Sequence, residues 1–402
     1  MYINKLIQTA IIITLSALLF SACKSDDNSE ALISDPRGEI MSSELVQSYN
    51  IAQVDSLIES YNSAEISILP RNYAVEIHNI IYQTIDAHGE PTIASGAFVI
   101  PAIDKPKALI SYQHGTVIKK DDVPSRGSQE LLIGIIYASN SGVAVSMPDY
   151  LGLGDSPGRH PYVHGPSQAT ASVDMIRASK RLAKSINVPL NDKLLLFGYS
   201  QGGHATMALT KAIEEEHSDE FTLTASAPMA GPYDMSGVQS APFTAQVAYS
   251  NPYYLPYLLL SYNEAYGLYD NYSDFLRAPY DTTLPPLFDG TNGGGVINSA
   301  MPPIPSHIIR EDIIEDFKFN YKHPFRVALQ ANDLWNWKPE VPMHLCQCRQ
   351  DTQVFYENAE VAYRTFKELG TEDVKLVAFD GDHADCVLPC FLDALQWFNG
   401  FY

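Results

Sequence analysis

The chain has 402 residues, 46% of them hydrophobic, and a formal net charge of −21. That length and apolar content are enough for one large core carrying an insertion. No basic stripe breaks the acidic balance of 47 Asp and Glu against 26 Lys and Arg, which weighs against nucleic acid or anionic headgroups as partners.

At the amino terminus Lys5 precedes an apolar stretch over residues 10–20, which ends in Ser21-Ala22-Cys23. A positive end, a short apolar centre and small residues before a cut describe a secretory signal peptide over residues 1–22, too short for a comfortable membrane span. The small residues before Cys23 resemble the lipobox of bacterial lipoproteins, so Cys23 is the expected lipidated terminus. Lys24-Ser25-Asp26-Asp27 resembles the acidic export tag of surface lipoproteins in Bacteroidota-type bacteria. Residues 23–45 then read as a lipidated polar tether and 46–402 as the folded domain. The lipid would hold it at the bacterial cell envelope, on the outer membrane or cell surface; the alternative is a secreted protein cut near Ala22.

Residues 74–86 and 92–101 alternate apolar and polar around Ala87-His88-Gly89-Glu90, which predicts an antiparallel hairpin. Strands over 108–112, 143–147, 194–197 and 222–227 then alternate with helices over 131–138 and 172–186 and with the helix that opens after Ser200. This is an α/β pattern: a mostly parallel sheet with helices on both faces. Regularity stops over about 235–335, a tyrosine-rich helical stretch broken by Pro285-Pro286, Gly293-Gly294-Gly295 and Pro302-Pro303. Strands over 341–346 and 375–379 and helices over 358–369 and 391–398 resume the alternation. The interruption therefore reads as a helical cap over the carboxyl edge of the sheet, where such sheets bind ligands. Its tyrosines either pack the cap helices or present faces on which sugars stack.

The sharpest signal is Leu194 to Gly203, an apolar strand that breaks at Gly198-Tyr199-Ser200-Gln201-Gly202 and opens into a helix. Ala205, Ala208, Leu209, Ala212 and Ile213 recur at helical spacing behind it. Strand, tight turn and helix lift a serine hydroxyl clear of the backbone, as a nucleophile elbow requires. A serine needs a base, and the base an orienting acid. His383 follows the last strand, Asp351 follows the strand before it, and Asp234 is the rival acid. Backbone N–H groups of Gln201 and Thr116 are the expected oxyanion donors, with Gly115 next in line. His114 reads as a residue that holds that turn, His204 as a packed or hydrogen-bonded one, and His160 with His164 as a weak metal pair lacking a third ligand.

Cys346, Cys348, Cys386 and Cys390 lie beside the acid and base. An even set in an oxidising compartment favours disulfides, and the close spacing within each couple favours bridges between the couples; a four-cysteine zinc site is the alternative.

Tyr112-Gln113-His114-Gly115-Thr116, residues 148–156 from Pro148 to Ser156, Asp174-Met175-Ile176-Arg177-Ala178, Gly198 to His204 and Gly231-Pro232-Tyr233-Asp234 together resemble the α/β-hydrolase superfamily. Within it the chain is similar to the secretory lipase family of serine esterases. The resemblance implies carboxylic ester hydrolysis through an acyl-enzyme on Ser200, with a helical cap between strands. It departs around Asp351, where relatives often carry a His-Gly pair. The expected partner is a small-molecule, lipid or glycan ester, and no cofactor or metal is called for. Rival readings are an acetyl or feruloyl carbohydrate esterase, a prolyl-type peptidase on the same fold and, more distantly, a binding protein without catalysis.

Overall fold

The computed structural model describes residues 35–61 and 63–402. The signal peptide, Cys23 and most of the tether lie outside the described residues. Nine strands, β1 (Ile40–Tyr49), β2 (Val75–Ile85), β3 (Pro91–Pro101), β4 (Leu109–Gln113), β5 (Ala144–Pro148), β6 (Leu194–Tyr199), β7 (Leu223–Met229), β8 (Met343–Cys348) and β9 (Val374–Phe379), form one sheet. Its order is β1-β2-β3-β5-β4-β6-β7-β8-β9. The first three pairings are antiparallel and all those from β5 to β9 are parallel. Every residue of β4, β5 and β6 is buried, as expected of parallel strands covered on both faces. The chain therefore has the α/β sheet anticipated from the alternation.

One boundary differs. Residues 40–45 were expected in the tether, yet β1 pairs with β2 from Ile40↔Tyr82 to Tyr49↔Val75. The strand escapes a sequence reading because all residues between its ends are exposed, so no apolar alternation marks it. Just before it, Arg37 Nε donates to buried Asp174 Oδ2 at 3.0 Å, and Thr84 Oγ1 and Arg177 donate to the same carboxylate at 2.7 Å each. Asp174 thus ties the start of the domain to a covering helix.

That helix, Gly165–Ser185, begins earlier than the predicted residue 172. The His164 side chain caps it by accepting from Ser167 N, and Pro166 occupies its first turn. Its first turns bury Ser167, Gln168 and Ala169, residues that carry little apolar signal.

Between β7 and β8 the chain builds the cap, with helices Tyr254–Tyr266, Glu311–Phe319 and Pro324–Gln330 around an apolar cluster of its own that includes Phe243, Leu259, Phe275, Ile308, Phe317 and Phe325. The tyrosines largely fasten this cap to the sheet body. Tyr257 stacks on Tyr162 at 4.4 Å and donates to Val117 O at 3.1 Å, while Tyr262 donates to Val163 O at 2.9 Å.

The four cysteines form two disulfides between the couples, Cys346–Cys390 and Cys348–Cys386. They join β8 to the last helix, Val387–Phe398, in place of a zinc site. In the chain-entropy view, closing loops of 44 and 38 residues stabilises the fold by about 4 kcal/mol for a single bridge of this span.

Candidate active site

Ser200 closes β6 and precedes the helix Gln201–Glu216, with φ +62° and ψ −122°. A non-glycine residue is rarely held there, and such strain persists only where the surroundings impose it. The neighbouring glycines are that surrounding. A Cβ on Gly202 would stand 2.0 Å from Gln113 O, and one on Gly203 would stand 2.1 Å from Met229 O. The elbow is thus wedged between the carboxyl ends of β4 and β7, and Ser200 N donates to Met229 O at 2.9 Å.

His383 comes from the loop after β9 and Asp351 from the loop after β8. His383 Nε2 lies 2.9 Å from Ser200 Oγ, and His383 Nδ1 lies 2.6 Å from Asp351 Oδ2. Asp351 Oδ1 accepts from Gln353 N and Val354 N at 2.9 Å each, and Oδ2 accepts from Gln347 Nε2 at 2.8 Å. With the carboxylate accepting on every side, Nδ1 carries the imidazole proton and the Nε2 lone pair faces the serine hydroxyl. The base loop is pinned in turn: Tyr199 OH donates to His383 O at 2.6 Å, and Asp382 Oδ1 accepts from His383 N and Thr352 N at 2.8 Å each.

The rival acid is committed elsewhere. Asp234 accepts from Gly237 N at 3.0 Å and Val238 N at 3.1 Å, so its carboxylate caps a turn at the base of the cap.

The loop after β4 lies against the elbow, since a Cβ on Gly202 would also meet His114 O at 2.8 Å. Gln201 N is at the first position of its helix, where backbone N–H groups have no intrahelical acceptor. Thr116 Oγ1 is 2.9 Å from Tyr162 OH. The His114 ring lies 2.8 Å from Gly115 O and 3.2 Å from Asp149 O, positions that brace the turn.

The other singled-out histidines are structural. His160 Nδ1 donates to Leu151 O at 2.8 Å, and its Nε2 accepts from Gln201 Nε2 at 2.6 Å. That pairing immobilises the side chain of the proposed oxyanion residue, and the sequence had no signal for it. His204 lies 3.0 Å from both Gln168 Oε1 and Asn332 O. Burial lowers His160 to about 3, and His164 and His204 each to about 4. These imidazoles stay neutral in the folded chain but take a proton in the unfolded one below the ordinary value of 6.5. Their contribution to stability is therefore present above pH 6.5 and is lost as the pH falls toward 4. We expect His204→Gln to flatten the acid limb of unfolding free energy against pH by about one proton, or ~1.4 kcal/mol per pH unit. Chemical denaturation between those limits reads the slope, and an unchanged slope refutes the assignment.

Ser200 and Gln201 line a pocket of about 70 Å³, partly open to solvent. Cap residues Phe243, Leu255, Leu258 and Phe325 form its apolar wall, with Gln353 and Val354 of the acid loop opposite. A larger cavity of about 430 Å³ borders Tyr199 and Gly115 but is lined by none of Ser200, Asp351 and His383. Of the two, the smaller one includes Ser200.

A mostly parallel sheet with a serine at a strand-to-helix elbow, a helical cap, and an aspartate and a histidine after successive strands is the α/β-hydrolase fold. A model of the secretory lipase family matches residues 127–232, which include the elbow. The trichothecene C-3 esterase of Fusarium sporotrichioides is 28% identical over 145 residues, 32% of this chain and 31% of that protein. The chain thus aligns with about a third of that relative's length. The structure of the rice cell wall degrading esterase LipA from Xanthomonas oryzae is 28% identical, with a TM-score of 0.81 over 90% of this chain and 98% of that one. Candida antarctica lipase A in its closed state, 18% identical with a TM-score of 0.65 over 90% of this chain and 83% of that one, shares the fold. These likenesses show that the chain has the α/β-hydrolase fold and is similar to known esterases and lipases.

Proposed function

We propose that the protein is an exported carboxylic ester hydrolase acting through an acyl-enzyme on Ser200. The observation that carries this reading is the continuous line from Ser200 Oγ through the His383 ring to Asp351. Nε2 of His383 takes the serine proton as Oγ attacks the ester carbonyl carbon. The N–H groups of Gln201 and Thr116 receive the negative charge that develops on the carbonyl oxygen. The tetrahedral species collapses, His383 returns the proton to the departing alcohol, and the acyl group stays on Ser200. Water then gives a proton to His383 and attacks the acyl carbon; the acid leaves and Ser200 regains its proton. Asp351 keeps Nδ1 protonated throughout and stabilises the imidazolium.

The apolar cap wall suits an acyl chain. The likeness to LipA, together with the polar side chains Gln239, Tyr249, Tyr254 and Gln353 on the pocket, favours a second reading in which the ester is carried on a plant or microbial polysaccharide. Attachment to a membrane through Cys23 belongs to this proposal too.

A fluorophosphonate probe followed by peptide mass spectrometry should label Ser200, and p-nitrophenyl esters should be turned over. Absence of both would refute the hydrolase reading. Peak activity on medium or long acyl chains supports a lipase-like role, whereas preference for acetylated or feruloylated sugars supports the polysaccharide reading.

A further inference from the structure

Gln353 is two positions beyond Asp351 and takes no part in the reaction as derived above. Its hydrogen bonds are nonetheless unusual in number and direction. Its backbone N–H donates to Asp351 Oδ1 at 2.9 Å. Its carbonyl oxygen accepts from Gln239 Nε2 at 2.9 Å and from the Tyr249 hydroxyl. Its side-chain Oε1 accepts from Asn251 Nδ2 at 3.0 Å and from Tyr254 OH at 3.2 Å. All four of these donors belong to the cap, between β7 and β8, and three of them cluster at residues 249–254, at and just before the start of its first long helix. Gln239 is itself fixed from below, because its Oε1 accepts from Asn358 Nδ2 at 2.9 Å.

We infer that Gln353 is a positioning residue through which the cap holds the catalytic acid in place. The inference rests on the serine hydrolase reading. The turn Asp351-Thr352-Gln353-Val354 orients the carboxylate with two backbone N–H groups. A turn of this kind on a loop is only as rigid as the contacts on its outer side. Here Asp382 holds Thr352 and Gln347 holds the Val354 carbonyl, while the contacts on Gln353 come from the cap, with Gln353 as the node that receives them. A cap seated over substrate and an ordered acid are then one state, and small losses of alignment at the acid are costly to a reaction that depends on geometry.

Gln353→Leu removes the Oε1 acceptor, and Gln353→Glu keeps oxygens that Asn251 and Tyr254 can reach. Tyr249→Phe weakens the same node from the cap side with little risk to folding. Tyr262→Phe, which removes a cap-to-body bond at Val163 O away from Gln353, is the control. With p-nitrophenyl acetate, an ester with no sugar to contact the pocket's polar side chains, we expect Gln353→Leu and Tyr249→Phe to lower kcat by about 10- to 100-fold with little change in KM, Gln353→Glu to recover most of the loss, and Tyr262→Phe to have no such effect. In an Asp351→Asn background, Gln353→Leu should add almost nothing, since its effect passes through the acid. Unchanged kcat in both node variants overturns the inference. So does a Gln353→Leu loss of the same size with and without Asp351, which marks a merely structural role. If wild-type enzyme neither turns over esters nor labels at Ser200, the hydrolase reading itself has failed.

Discussion

Ser200→Ala is expected to reduce kcat on p-nitrophenyl esters by about a million-fold, the scale on which removal of a triad nucleophile acts in other serine hydrolases. The physical case lies in the elbow. A backbone held at φ +62° with glycines pressed against carbonyls on both sides aims one hydroxyl, and the other hydroxyl of that turn, on Tyr199, is committed to His383 O. Alanine deletes only the oxygen, so the variant should fold and its residual rate should reflect oxyanion stabilisation and binding alone. His383→Ala should cost nearly as much, and the double variant scarcely more, because the two act as one unit. Initial rates on purified single and double variants decide it. Additive losses, or retained turnover in Ser200→Ala, would place the nucleophile elsewhere.

Asp351→Asn is expected to lower kcat by about ten thousand-fold, the cost seen when a triad acid becomes an amide. An asparagine at this position can keep its oxygen toward the N–H groups of Gln353 and Val354, which leaves its NH2 facing His383 Nδ1. The imidazole must then accept at Nδ1 and carry its proton on Nε2, the wrong nitrogen for deprotonating Ser200. Asp234→Asn is the matched control. Its carboxylate caps the turn at Gly237 and Val238, so the change should cost stability and only a small part of the rate. Parity between the two variants in kcat would transfer the role to Asp234.

Much of this was legible because it is local. The elbow is a contiguous strand, turn and helix, and the base and acid follow strands whose buried apolar runs announce themselves. The edge strand β1 was not legible, since its exposed residues show no periodicity and only pairing with β2 makes it a strand. The roles of Gln347, Gln353 and His160 were hidden for another reason. Glutamine is ordinary on any surface, and nothing in its sequence neighbourhood says that folding will bring it the Asp351 carboxylate or a cap hydroxyl.

The amino-acid sequence by itself determined the α/β alternation, the serine at its turn, the placement of Asp351 and His383 after successive strands, and cysteine bridges running between the two couples. These follow from backbone periodicity, steric demands of neighbouring residues and chain order, which act over a few positions. Tertiary structure alone decided which aspartate faces His383, which cysteine of each couple meets which, and that the cap's polar face rests on the acid loop. Each of these depends on how segments far apart in the chain are brought into register. Chain order favours Asp351 over Asp234, and folding occupies the oxygens of Asp234 with turn N–H groups and sets Asp351 against an imidazole.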